Sequence, residues 1–181
     1  MEINYKKISE KIIKLAEADQ KMRFDSQQGE GEWNENVDKV NSNVLEDIID
    51  DIGWPTISKV GKEASYAAWL IAQHADQNPI FQAKCLRLMK ECKKNDIDPT
   101  NVSYLEDRVL VNQGKKQIYG TQFYTNKTKE IVPRPIKDMK NIEILRKEVG
   151  LEPFEVYAKK IKGTYKATNE SAKIGRFYKV T

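Results

Sequence analysis

The sequence predicts a mainly α fold: one compact helical domain of about six helices over residues 1–162, with a single small β-hairpin near residues 117–132. Three observations carry this expectation. A chain of 181 residues is long enough to bury a full core within one domain. Apolar residues recur at helical spacing through most of the first 110 positions. At Gln117 the pattern changes to β-forming residues around a turn.

Ile8, Ile12, Leu15 and Met22 fall near helical spacing, so residues 4–23 read as an amphipathic helix. Residues 24–42 are polar and contain glycine, and they read as a mobile loop with Trp33 as its one anchor. Ser42 or Asn43 can cap a short helix carrying Leu45, Ile48, Ile49 and Ile52, which Gly53 ends. Trp54-Pro55 imposes an extended turn. A slim, alanine-rich helix follows from Val60 to Ala75. Asn78-Pro79 pairs a capping residue with proline at the first helical position, opening a helix to about Lys94. Another starts near Pro99 or Asn101 and stops at Gly114. Gln117–Tyr124 reads as a strand, Thr125–Thr128 as a turn, and Glu130–Val132 as the return strand closed by Pro133 and Pro135. Asn141 can cap a helix ended by Gly150, and Pro153 opens a last helix to about Ile161. Residues 163–181 form a polar, basic tail in which Ile174, Phe177 and Val180 give the only reason to dock.

Charge and composition narrow the function classes. Charged residues make up 32% of the chain, yet 31 Lys+Arg against 27 Asp+Glu leave a formal charge of only +4. So small an excess does not predict nucleic-acid binding. The only basic stretch with interleaved aromatics is Lys159–Lys179, which reads first as a solvated tail. No run approaches a membrane span, and the first residues lack the apolar core of a secretory signal. Cys85 and Cys92 lie seven apart on one helix, roughly 10 Å, too far to bridge. A cytoplasmic protein with reduced cysteines and no membrane partner is expected. Nothing in the sequence fixes an oligomeric state.

The candidate site centres on the only histidine. His74 sits in Gln73-His74-Ala75-Asp76, at the end of an apolar helix. Imidazole titrates nearest neutral pH, so His74 suits a general acid or base; a structural histidine bonded to a carbonyl is the plainer alternative. Asp76 or Asp107 would orient it as the other members of a catalytic set. Arg108, with Arg23, suits an anionic group because guanidinium binds carboxylate or phosphate in a bidentate way. Asp19 and Arg23, four apart on the first helix, also read as an ordinary surface ion pair. Gln20, Gln73, Gln117, Tyr119 and Gln122 complete the candidate binding set. In the expected strand, Gln117, Tyr119 and Thr121 would share one face, and Gly120 would mark a bulge or a close approach. One histidine, and two cysteines on a different helix, do not match zinc-ligand spacings. A magnesium or calcium site on Asp76 and Asp107 lacks a loop motif. No metal and no cofactor are therefore expected.

The motifs, in order, are Asp19-Gln20-x-x-Arg23, Gly53-Trp54-Pro55, Gly61-x-x-Ala64, Gln73-His74-Ala75-Asp76, Leu105-x-Asp107-Arg108 and Gln117-x-Tyr119-Gly120-Thr121-Gln122. In this the chain resembles a bacterial family of unknown function, DUF6624, over roughly residues 8 to 158. Arg146–Leu151 looks like that family's closing segment. The resemblance implies no activity. It implies that the polar residues form a site, because a signature of Asp, Gln, Arg, His and Tyr is unlike that of a core. Two functions fit. One is hydrolysis or group transfer on a small phosphorylated or nucleotide-like molecule, with His74 as acid/base. The other is non-catalytic binding of a small anionic molecule by the same pocket, as in a sensor, a nucleotide sponge, or an immunity or antidefence protein. A purely structural hydrogen-bond network is the third reading.

Overall fold

The computed structural model describes residues 3–29, 31, 32 and 34–170. It contains α1 (Tyr5–Gln28), α2 (Glu35–Ile52), α3 (Ile57–His74), α4 (Pro79–Glu91), α5 (Pro99–Asn112), β1 (Phe123–Thr125), β2 (Ile131–Pro133), α6 (Ile142–Glu148) and α7 (Phe154–Glu170). The fold is mainly helical, with seven helices and one antiparallel hairpin in which Tyr124 pairs with Val132.

Helix α3 is the centre. Its alanines, Ala64, Ala67, Ala68 and Ala72, are buried, and small side chains let α1, α2, α4 and α5 pack closely around it. Ile12 of α1, Leu45 of α2, Phe81 and Met89 of α4 and Leu105 of α5 fill the spaces between. Gly61, with φ +82°, breaks the first turn of α3, and the Ser9 hydroxyl donates to the Val60 carbonyl beside the break (2.9 Å). The capping signal holds at α4, where Asn78 accepts from the Phe81 amide; α5 starts at Pro99, and its cap is Asp98, which accepts from the Thr100 amide. A smaller apolar cluster of Ile142, Phe154 and Ala158, with Phe123 and Ile136 against it, joins α6, α7 and the hairpin.

Three expectations need correction. The polar segment 24–42 is largely helical: α1 runs on to Gln28, and α2 starts at Glu35 with Asn34 as its cap. The cap lies well before Ser42, which is buried inside the helix with its hydroxyl on the Lys39 carbonyl. Trp33 and residues 171–181, with Ile174, Phe177 and Val180, lie outside the described residues. The last helix also does not stop at Ile161; it passes Gly163 and reaches Glu170.

The third correction concerns residues 117–122, which form no regular strand. Gln117, Gly120, Thr121 and Gln122 are all buried, so the expected two-face alternation is absent. A buried irregular loop must satisfy its backbone some other way, and here side chains do it. Gln117 Nε2 donates to the carbonyls of Gln122 (3.0 Å) and Arg134 (2.8 Å), and its Oε1 accepts from the Gln122 amide (2.8 Å). Gly120 has φ +69°, and a Cβ there would sit 2.7 and 2.9 Å from ring carbons of the buried Phe154. Gly120→Ala therefore combines left-handed strain with overpacking. It is expected to cost about 2–4 kcal/mol and to lower the thermal midpoint by about 5–15 °C, read by calorimetry.

Candidate functional site

Polar side chains converge on the C-terminal end of α3. The first group gathers around Asp19, which is 1% exposed on α1. His74 Nδ1 lies 2.9 Å from Asp19 Oδ2 and 3.1 Å from Oδ1. Arg23 Nε donates to Asp19 Oδ1 (2.9 Å), and Gln20 Nε2 donates to Oδ2 (2.6 Å). The other arm of Arg23 reaches Asp38 Oδ1 on α2 (2.6 Å). The Asp19–Arg23 pair is thus the buried half of a network joining α1, α2 and α3. Asp38, inside the segment expected as loop, was not among the sequence candidates.

The electrostatics fix the imidazole. Burial alone would raise the Asp19 pKa, but the bond and charge of His74, together with the charge of Arg23, outweigh it and hold Asp19 below the usual carboxylate range. Asp38 is pushed the other way, by burial and by Asp19 beside it, with Arg23 opposing. Facing an ionised Asp19, Nδ1 must carry its proton, so in the neutral ring Nε2 is the basic nitrogen. Nε2 makes no hydrogen bond among the described residues, and the His74 side chain is 17% exposed.

A second group lies two residues further along. The Asp76 amide donates to the His74 carbonyl (2.9 Å), which ties the two groups together through the backbone. The Asp76 carboxylate takes both Nε (2.8 Å) and Nη2 of Arg108, and it also accepts from Asn112 Nδ2 (2.8 Å). Gln82, fully buried on α4, bridges the Ala72 carbonyl and Asn112. Burial would raise the Asp76 pKa, but the Arg108 and Asn112 bonds prevail and lower it. The remaining Arg108 arm, Nη1, donates to Gln122 Oε1 (3.0 Å).

Gln122 leads into a third group. Its Nε2 donates to the Thr121 hydroxyl, which donates to Asp107 Oδ2 (2.9 Å each). Asp107 is 0% exposed and also accepts the amides of Ile118 (2.7 Å), Tyr119 (3.0 Å) and Thr121 (2.9 Å). Behind this loop stands Arg146, also 0% exposed, with Nη1 on the Tyr119 carbonyl and Nε on the Glu152 carbonyl. Its guanidinium lies over the Tyr157 ring at 5.0 Å, and Nη2 is buried without a hydrogen-bond partner among the described residues.

The structure therefore brings together His74 with Asp19, Gln20 and Arg23, and Asp76 with Arg108 and Gln122. It separates other expected members from the imidazole. The carboxylate that orients His74 is Asp19, 55 positions away in sequence; Asp76 is engaged by Arg108, and Asp107 by the 118–121 loop. Gln117 spends its amide on the backbone of Gln122 and Arg134. The Tyr119 phenol lies against Ser103 of α5, where burial raises its pKa. Gln73 is buried one position before His74, and its Oε1 has no partner among the described residues. Both site arginines hold carboxylates: Arg23 two of them, Arg108 one. Gln82, Asn112 and Arg146 join Asp38 as network members missed in the sequence. Gln82 alone carried a usable signal, since it falls on the apolar side of α4 one position after Phe81. Among the described residues no group of three or more His, Cys, Asp or Glu could hold a metal ion. None of the described helices is long and apolar enough to cross a membrane.

These features define a class: a small helical protein built around a continuous buried polar network that leaves one imidazole nitrogen uncommitted. The chain belongs to the family of unknown function DUF6624, whose family model matches residues 7–169. That span takes in every side chain of the network and reaches past Gly163, beyond the 8–158 over which the motifs carry the resemblance. No curated protein and no solved structure matches the chain.

Proposed function

We propose that the chain is an enzyme that hydrolyses, or transfers a group of, a small phosphorylated or nucleotide-like molecule, with His74 as general acid/base. One observation carries the reading: a buried, ionised Asp19 holds Nδ1 and directs the basic lone pair to Nε2. A carboxylate in that position fixes the tautomer and stabilises the imidazolium that forms as the ring takes a proton. The opposed pKa shifts of Asp19 and Asp38 add support, since acid–base sites place neighbouring carboxyls in contrasting environments. In this reading Nε2 removes a proton from an attacking water or hydroxyl as the new bond to the phosphoryl or acyl centre forms. It returns that proton to the leaving oxygen as the old bond breaks. Arg108 is the phosphoryl-binding residue. It is one-third exposed, and its fork, now on Asp76, matches a phosphoryl group equally well. Binding there exchanges Asp76 for substrate.

The thermal midpoint of a His74 variant does not separate catalysis from structure. His74 bonds a buried carboxylate, so its removal lowers stability under either reading. Turnover does separate them, and the tautomer tests the mechanism. A panel of phosphate esters and nucleotides is screened against the wild type, and any hit is repeated with His74→Asn. A loss of at least about a hundredfold is expected. Turnover that persists in His74→Asn sinks the assignment. Because the chain has one histidine, a nitrogen-correlated NMR spectrum shows a single imidazole. Its proton is expected on Nδ1, and a proton on Nε2 in the neutral ring would contradict the mechanism.

A further inference from the structure

The small net charge conceals a steep division along the chain. Residues 1–112 carry 15 Lys+Arg against 20 Asp+Glu, whereas residues 113–181 carry 16 against 7. Of the twelve Lys and Arg between 113 and 162, Arg146 is buried and the other eleven are exposed. Among the described residues, Lys160 alone of the eleven has an ion-pair partner, Glu152. Of the six acids between 113 and 162, three hold turns: Glu130 binds Asn126 and Thr128, Asp138 binds Asn141, and Glu143 binds the Phe154 amide. Glu152 pairs with Lys160, and Glu148 and Glu155 are exposed, which leaves the cations in excess.

Several of these cations share a surface. The hairpin packs on α7, with Phe123 and Tyr157 rings 5.8 Å apart. Glu130, beside the hairpin turn, feels the charge of Lys162 on α7. Lys127 and Lys129 of the turn therefore adjoin the Lys159–Lys162 side of α7. On β1 the partly exposed Tyr124 carries the Arg134 guanidinium over its ring at 4.5 Å.

We propose that the hairpin and α7 form a binding face for single-stranded nucleic acid, with the lysines along the phosphates and Tyr124, backed by Arg134, offered to a base. Unpaired exposed cations attract a polyanion by releasing its counterions. An exposed aromatic ring beside them adds the stacking that single-strand binders use. A duplex would use the lysines through its phosphates, but its stacked bases would gain nothing from a ring offered to an unpaired base. An anionic lipid surface would use the lysines but gain nothing from a stacked ring. The face is separate from the His74 network, so it stands or falls independently of the acid–base reading.

Fluorescence anisotropy with a labelled oligo-dT of about 20 nucleotides tests the proposal on the full chain. Binding is expected at about 50 mM salt, weakening about a hundredfold by about 200 mM, as contact with about five phosphates predicts. The combined variant Lys127→Glu, Lys129→Glu, Lys159→Glu, Lys162→Glu is expected to lose at least about tenfold. Tyr124→Ala is expected to weaken binding by about tenfold with the salt slope unchanged. The five positions changed, and their neighbour Arg134, are exposed, and an unchanged thermal midpoint confirms that the variants fold. Absence of binding by the wild type at low salt overturns the proposal, and so does full-strength binding by the charge-reversed variant. Preference for vesicles rich in anionic lipid, with Tyr124→Ala behaving as wild type, also overturns it and assigns the face to a membrane surface.

Discussion

Asp107→Ala is expected to be the most destabilising single substitution in the network. Asp107 is 0% exposed and receives three amides and one hydroxyl from residues 118–121. Its removal leaves all four donors without a partner inside the protein. Each orphaned buried donor costs about 1–3 kcal/mol, and relaxation of the loop recovers part of that. A net loss of about 4 kcal/mol is expected, lowering the thermal midpoint by about 8–16 °C. Asp107→Asn is expected to lose about half as much, because its amide oxygen still accepts while its NH2 faces a donor. Calorimetry of both variants checks this. Equal, small losses would mean that Gln117 and Arg146 hold the loop unaided.

Asp19→Asn is expected to have the largest effect on chemistry. The amide fills the same space, but it presents no charge to His74 or Arg23 and no longer dictates which ring nitrogen holds the proton. Turnover on any substrate found is expected to fall by about a hundredfold to ten-thousandfold, as for loss of the orienting carboxylate in a catalytic triad. The same variant has a stability signature. The folded-state pKa of Asp19 is depressed, so its contribution is fully present above the unfolded value of about 3.9 and is lost as pH falls below it. Asp38, raised in the folded state, works in the opposite sense. Stability of the wild type is therefore expected to drop below about pH 4 more steeply than that of Asp19→Asn. Urea titrations at pH 7 and pH 3 measure the difference; parallel losses in both proteins would refute the ionised pair.

Local rules found most of the helices because local residues determine them. Asn78-Pro79 caps and opens α4, and the alanine row of α3 marks the central helix. The start of α2 was hidden because its first two turns, Glu35–Ser42, are almost all polar, and their helicity comes from the Asn34 cap and from packing of the later turns. The loop at 117–122 was misread for a related reason. Residues 134–137 reach only its two ends, Gln117 and Gln122, and the side chains of Gln117 and Asp107 satisfy much of the rest, which residue alternation does not encode. Within the site, residue type gave His74, Asp19, Arg23, Asp76 and Arg108. The pairing among them was not legible, since Asp19 meets His74 across 55 positions and only the docking of α1 on α3 brings them together. Asp38 and Arg146 were missed because a lone charged residue in a polar or basic stretch reads as surface.

The order of the network along the chain has a consequence for biosynthesis. Asp19, Arg23, Asp38 and His74 all lie in the first three helices, and their contacts require nothing after His74. A nascent chain can therefore complete the imidazole pair while α5 and the 117–122 loop are still being made. Arg108 and its brace arrive later, on a segment that docks onto an interior already formed. An arrested or truncated product ending before α5 would hold the imidazole on Asp19, itself paired with Arg23, but lack Arg108. The Asp19–His74 half of the network and the Asp76–Arg108 half thus mature at different moments of translation.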